Sequence, residues 1–184
     1  ETSTVTEPAE PAFSRLHLWD GGVYDNLGLE ALHNFAEGWR EGVDFLVVSD
    51  GCHRLKPQQR RPWKAPMRMI RGIMMHQIRS LRCRAIRERL VNHGDPGGLL
   101  QIGTTCEMIF RDARREDEIA SLCPRCLGRE EADRAAEMAT VIRRLSRQNF
   151  DRLFRHGFEV ADCTLYANYP DEFRYLGYSD LRCG

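Results

Sequence analysis

No apolar run in this 184-residue chain approaches the length that a bilayer demands, so no membrane-spanning helix is expected. Internal repeats and low-complexity tracts are missing too, which excludes solenoids and compositionally biased fibres. Net charge is absent, with 27 basic residues set against 27 acidic ones. The opening stretch lacks an apolar centre. Residues 1–15 carry Glu, Thr and Pro and cannot form a signal peptide; they read as a linker or disordered lead-in. An even cysteine count is missing as well. Seven cysteines leave one unpaired in any disulfide scheme, which points to a reducing compartment and a cytoplasmic location.

What is present suits a globular domain. Hydrophobic residues make up 42% of the chain, too many for a disordered one, and 184 residues can bury a sizeable core. The pattern alternates. Leu16–Trp19 reads as a short strand, and 28–40 as a helix with Leu29, Leu32, Phe35 and Ala36 on one face. Val43–Ser49 is a continuous apolar run, as in a strand buried on both faces. Leu99–Glu107 alternates like a strand. The charged stretch Arg111–Glu131 reads as a surface excursion. Ser146 is placed to cap a final helix through Ala167, with Phe150, Leu153, Phe154 and Phe158 facing inward. Strands alternating with helices give the α/β class.

The densest signal is the run from Leu16 to Leu29, Leu-His-Leu-Trp-Asp-Gly-Gly-Val-Tyr-Asp-Asn-Leu-Gly-Leu. An acid, Asp20, closes a short apolar stretch and is followed by Gly21 and Gly22, which let the backbone turn sharply and let another segment approach. Such an acid is displayed at a sheet edge on a rigid element, a common setting for a catalytic carboxylate and equally for an ordinary strand end. His17 and Asp20, three apart on a strand, point to opposite faces and make no metal pair.

This run resembles a block of the patatin-like phospholipases, in which an Asp-Gly-Gly triplet supplies the acid of a Ser-Asp dyad and an Asn follows. Asp20, Gly21, Gly22 and Asn26 match in order and spacing. Phe45–Asp50 resembles the family's next core strand, Gln77–Arg82 one of its helices, and Leu153–Asp162 its closing helix. The likeness covers about residues 16–165. It implies a fold, the C-terminal portion of a three-layer α/β/α sandwich over residues 16–168 with a tail over 169–184. It also implies an activity, hydrolysis of lipid esters without a cofactor or metal. Asp20 would be the catalytic residue, with Gly21, Gly22 and Asn26 supporting its loop, Asn26 by hydrogen bonds to backbone. The family's Gly-x-Ser-x-Gly elbow and Gly-rich oxyanion loop lie upstream of this block and are not found here. None of Ser3, Ser14, Ser49, Ser80, Ser121, Ser146 or Ser179 sits between glycines at the elbow offsets. Ser49, followed by Asp50 and Gly51, lacks the elbow's first glycine and reads as a strand-end serine. The expectation is therefore part of a longer enzyme whose N-terminal half carries the nucleophile, inactive alone. The alternative is a non-catalytic remnant or a membrane-surface or scaffolding module of the same fold.

Two further features compete with bland explanations. From Arg54 to Arg89 the only acid is Glu88. A helix over 66–91 would place Ile70, Ile73, Met74, Ile78, Leu81 and Ala85 on an apolar face, with Arg68, Arg71, Arg79, Arg82 and Arg89 largely off it. That describes a core-packing helix with solvated arginines. Peripheral contact with an anionic membrane surface is the sharper alternative. No nucleic-acid partner is expected, because no recognition motif or aromatic platform accompanies the arginines. Cys123-Pro-Arg-Cys126 has the spacing of a zinc knuckle or redox pair. A zinc site needs a second pair of ligands, and His156 or Cys163 would have to come from far along the chain. The expectation is two incidental cysteines in a charged loop.

Overall fold

The computed structural model describes residues 22–34, 36–52, 69–138 and 143–178. The expected strand Leu16–Trp19, together with Asp20 and Gly21, lies outside the described residues.

Two strands form the centre. β3, Leu46–Asp50, pairs in parallel with β4, Gly97–Gln101, in the register Leu46 with Gly97 through Asp50 with Gln101. Parallel neighbours need a long crossover, and the segment between them carries the longest helix of that half. β3 begins at Leu46 rather than Val43, and it is not buried on both faces. Leu46 and Val48 point inward, whereas Val47 is 46% exposed. The final helix lies over β4 rather than β3, which leaves Val47 uncovered.

The expected helix over 28–40 is instead a small hairpin. After a single α turn, α1 at Gly22–Asp25, β1 (His33–Asn34) pairs antiparallel with β2 (Gly38–Trp39). Gly28 and Gly38 take φ of 67° and 97°, which no right-handed helix accommodates. Asn34 Oδ1 accepts the Ala36 amide at 3.1 Å, an Asx turn that competes with helix for the same backbone. Trp39 Nε1 donates to the Pro96 carbonyl at 2.8 Å and ties the hairpin to the residue before β4.

α2 runs Met75–Glu88 and is flanked by π-helical turns at Met69–Met74 and Arg89–His93. Gly94 ends it in the left-handed conformation, φ 70°. Its buried face is not the expected apolar one. Cys83 and Ile86 are buried, whereas Ile73, Met74 and Leu81 are more than half exposed. Arg79 and Arg82 face inward, where carboxylates await them.

β4 ends at Gln101, short of the expected Glu107, and Gly103 turns the chain with φ 83°. Thr105 Oγ1 then accepts the Met108 amide at 3.3 Å and caps α3, Cys106–Asp112. The stretch Arg111–Glu131, read as a surface excursion, lies largely at the surface but carries helix: it holds α4 (Ile119–Leu122) and the start of α5 (Arg129–Ala136), and Cys123 and Leu127 within it are buried. α6, Arg147–Asn168, is capped by Ser146 as expected, with its Oγ accepting the Asn149 amide at 3.3 Å. Its buried face is His156, Glu159, Val160, Cys163 and Ala167. Phe150 and Phe154, expected inside, are exposed and stack on each other. Beyond α6, the described part of the tail folds back, and Tyr169 Oη accepts the Gly97 amide at 2.8 Å.

Adjacent β4 residues look to opposite faces. Leu99 joins Leu29, Leu46, Val48 and Ile86 beneath α2, and Leu100 joins Phe110, Val160 and Cys163 beneath α3 and α6. The strand pair thus carries helices on both faces, a mixed α/β arrangement.

Gly97 is where the strands approach most tightly. A Cβ there would lie 2.2 Å from the Leu46 carbonyl oxygen, whereas one at Gly98 would meet only Thr164 Cγ2 at 3.4 Å. Gly97→Ala is expected to cost about 1–3 kcal/mol, the usual penalty of overpacking, and Gly98→Ala clearly less, as read by urea denaturation.

Candidate functional site

The carboxyl end of the parallel pair gathers the polar groups, as open α/β sheets generally do. Asp50, the last residue of β3, is 1% exposed. Its oxygens accept Arg79 Nε at 2.8 and 2.7 Å, Gln101 Nε2 at 3.2 Å and the Cys52 amide at 3.2 Å. Arg79 Nη2 stands 2.7 Å from Oδ2. Burial alone would raise the Asp50 pKa, but the Arg79 hydrogen bonds and charge outweigh it and hold the carboxyl below its ordinary range. The neighbouring Cys83 thiol, 3.4 Å from Oδ2, is pushed up to about 12 by burial and by the Asp50 charge.

One helical turn along α2, Arg82 reaches the block that follows Asp20. Its guanidinium contacts Asp25 Oδ1 at 3.2 Å, the Tyr24 carbonyl at 3.1 Å and Glu30 Oε1 at 2.9 Å, and it lies over the Tyr24 ring. Asp25 Oδ2 accepts the Glu30 amide at 2.9 Å. Of the residues singled out from the sequence, Asp20 and Gly21 lie outside the described residues, and Gly22 opens α1. Among the described residues, Asn26 has a partner beyond its own loop. Its Nδ2 donates to Cys52 Sγ at 2.7 Å, joining this loop to the chain just beyond β3. Ser49 is exposed near a 130 Å³ hollow that Asp50, Gln101 and His156 also line.

A second cluster lies away from that edge, beneath the other sheet face. Cys106 at the start of α3, Cys123 and Cys126 after α4, and Cys163 on α6 bring their Sγ atoms within 4.8 Å of one another. Cys123 and Cys126, read as an incidental pair, thus stand beside two further cysteines, which α3 and α6 pack against the knuckle loop. The Cys126 amide donates to the Cys123 carbonyl at 3.2 Å, closing the turn. Glu159 of α6 accepts the Leu127 amide and Arg155 Nε, each at 2.8 Å, and clamps the turn's far side. Hydrogen bonds from Cys106, and after it the other thiols, hold Cys123 below the ordinary thiol range, while the bonds to Cys123 and to Cys106 raise Cys106 and Cys163 respectively. Along the chain the four cysteines fall as one, two and one, so the sequence shows the knuckle pair but not its complement. Cys163 is visible there only as a distant candidate, and Cys106 only as an isolated position.

No protein-family model, curated protein or solved structure matches the chain.

Two acid-sensitive elements follow from these geometries. Asp50 titrates below its unfolded value, so its contribution is full above about pH 3.9 and lost as pH falls through the lower folded pKa. His156 accepts the Gly103 amide at Nε2, 2.8 Å, which requires a neutral ring, and burial lowers its pKa. Its contribution is full above about pH 6.5 and lost as pH falls through its folded pKa. Asp50→Asn should abolish the lower step and His156→Gln the upper one in stability measured against pH. Arg79→Ala, which strands a buried carboxylate, should cost about 3–5 kcal/mol at neutral pH.

Proposed function

We propose that this chain is the C-terminal part of a patatin-like serine acyl hydrolase of lipid esters and that Asp20 supplies the carboxylate of its Ser-Asp dyad. One observation carries the reading beyond the sequence likeness. Three of the stretches that resemble the family, far apart in the chain, meet at one place. Arg79 from the helix stretch binds Asp50 at the strand end, and Arg82 from the same stretch binds Asp25, five residues past Asp20. Such convergence is what stretches of one shared site would produce. The fourth stretch forms α6, which packs on β4 of the same sheet. The block after Asp20 is thus anchored beside the carboxyl end of β3, the usual place for a reacting group in such sheets.

The chemistry assigned to Asp20 is proton transfer. The serine Oγ attacks the ester carbonyl carbon, its proton passes to the Asp20 carboxylate, and the same proton returns to the departing alkoxide as the acyl-serine forms. Water then attacks the acyl-serine by the same route in reverse and releases the fatty acid. No histidine intervenes, so the carboxylate must stand within hydrogen-bond reach of the serine oxygen. An ordinary Asp, with a pKa of about 3.9, is a weak base at neutral pH, and the apolar neighbours Leu18, Trp19 and Val23 are the residue types that would raise it by desolvation. The arginines of α2 pair with Asp50 and Asp25 and so offset their charge.

Asp20→Asn in the longer protein that carries the elbow serine should lower the rate at least ~10²-fold, with an unchanged circular dichroism spectrum. Retention of wild-type turnover would overturn the dyad. The 184-residue chain on its own should hydrolyse a p-nitrophenyl ester no faster than its Asp20→Ala variant.

A further inference from the structure

The cysteine cluster beneath α3 and α6 has no part in ester hydrolysis, and its geometry is that of a metal site. We propose that Cys106, Cys123, Cys126 and Cys163 bind one zinc ion in a tetrahedral four-thiolate site that fastens the segment between β4 and α6 to the sheet.

The distances suit a single ion. With zinc–sulfur bonds of about 2.3 Å, the edges of a thiolate tetrahedron are about 3.8 Å long. Cys123 and Cys163 stand 3.9 Å apart, and all four sulfurs lie within 4.8 Å of each other. The largest adjustment needed is thus about an ångström. No two of these thiols are bonded to each other, and each is free. A multi-iron cluster, with its bridging sulfides, would force the sulfurs farther apart than this. Hard cations such as magnesium or calcium take oxygen donors, and an all-sulfur set excludes them.

The surroundings suit a structural rather than a catalytic ion. Cys106 and Cys163 are 3% and 0% exposed, so no coordination position opens to solvent on their side. The donors come from three separate elements, as a staple requires. The hydrogen-bonded turn from Cys123 to Cys126 is the two-residue knuckle spacing, and the Tyr175 hydroxyl, 3.5 Å from both of their sulfurs, is placed to donate to thiolates. The local core also has need of a fastening. Its buried members are Cys106, Ile109, Phe110, Cys123, Val160, Cys163 and Ala167, and three of these are the cysteines themselves. On binding, each thiol gives its proton to solvent and each sulfur donates a lone pair to the ion, with no change of oxidation state. The bound site carries two net negative charges, from four thiolates and one divalent cation.

The test is metal analysis of the full chain, purified without chelator after expression in zinc-supplemented medium. One zinc per chain is expected by plasma mass spectrometry. Cobalt offered to the metal-stripped, reduced protein should give the intense visible bands of tetrahedral thiolate coordination. Cys163→Ser and Cys106→Ser should each lose the zinc on dialysis, whereas Cys52→Ser and Cys83→Ser should keep it. Because a ligand variant could fail to fold, the wild-type chain decides. Seven titratable thiols with neither bound zinc nor a cobalt spectrum would overturn the proposal. So would bound iron, or an intact mass two hydrogens light that reveals a disulfide within the cluster. None of these readouts involves ester hydrolysis, so their outcome is separate from that of the acyl hydrolase reading.

Discussion

The buried ion pair between Asp50 and Arg79 is the constraint around which this molecule is arranged. A carboxylate at the closed end of a parallel strand cannot remain ionised without a partner, and Arg79 is the partner that α2 delivers. Once Arg79 is fixed, the rotation and depth of α2 are fixed as well. Arg82 then falls on Asp25, Glu30 and the Tyr24 carbonyl. Ten residues on from Arg79, Arg89 meets Asp95 at 2.6 Å and the Glu37 carbonyl at 3.2 Å in the hairpin turn. One helix face therefore holds the end of β3, the block after Asp20 and the β1–β2 hairpin. The exposed ion pairs elsewhere, such as Arg111 with Glu107, contribute only about 0.2–1 kcal/mol each and position nothing.

The two faces of the sheet are stabilised by different means. Beneath α2 the contacts are aliphatic, with Leu29, Leu46, Val48 and Ile86 around the strand pair. Beneath α3 and α6, short helices and a tight turn are gathered around sulfur. Short helices hold little surface to bury, and an isolated one is marginal in water. A bound metal changes that balance, since structural zinc in small peptide domains is worth about 10–16 kcal/mol at neutral pH. The Glu159 clamp on Leu127 and Arg155 serves the same region by ordinary hydrogen bonding.

The α/β character was legible because Leu46–Asp50 and α6 have patterns with a single interpretation. The Ser146 cap was legible for the same reason, since a serine before a helical run has one strong use. Other elements were hidden by interactions that periodicity does not register. The 28–40 segment has helical spacing of Leu29 and Leu32, but positive φ at Gly28 and Gly38 and the Asn34 turn decide against helix. On α2 and the π-helical turn before it, Ile73, Met74 and Leu81 are exposed, while Arg79 turns inward to Asp50. Of the arginines read as a solvated face, Arg79 and Arg82 are largely covered, and their carboxylate partners lie 29 and 57 positions away and cannot be paired by sequence pattern; the side chains of Arg68 and Arg71 lie outside the described residues. Similarly, the knuckle Cys123–Cys126 was visible, but the second pair came from two helices that only the fold brings together. For the hydrolase reading, the Asp-Gly-Gly block was legible in the sequence, and the contacts of Arg82 with Tyr24, Asp25 and Glu30 beyond it were not.

The central claim is that the arginines of α2 hold the block after Asp20 against the sheet edge. Amide hydrogen exchange of Arg82→Ala against the wild-type chain tests it most directly. The account predicts faster exchange confined to residues 24–32, with the β3 and β4 amides protected as before. Unchanged exchange in that block, or uniform loss of protection across both strands, would contradict it.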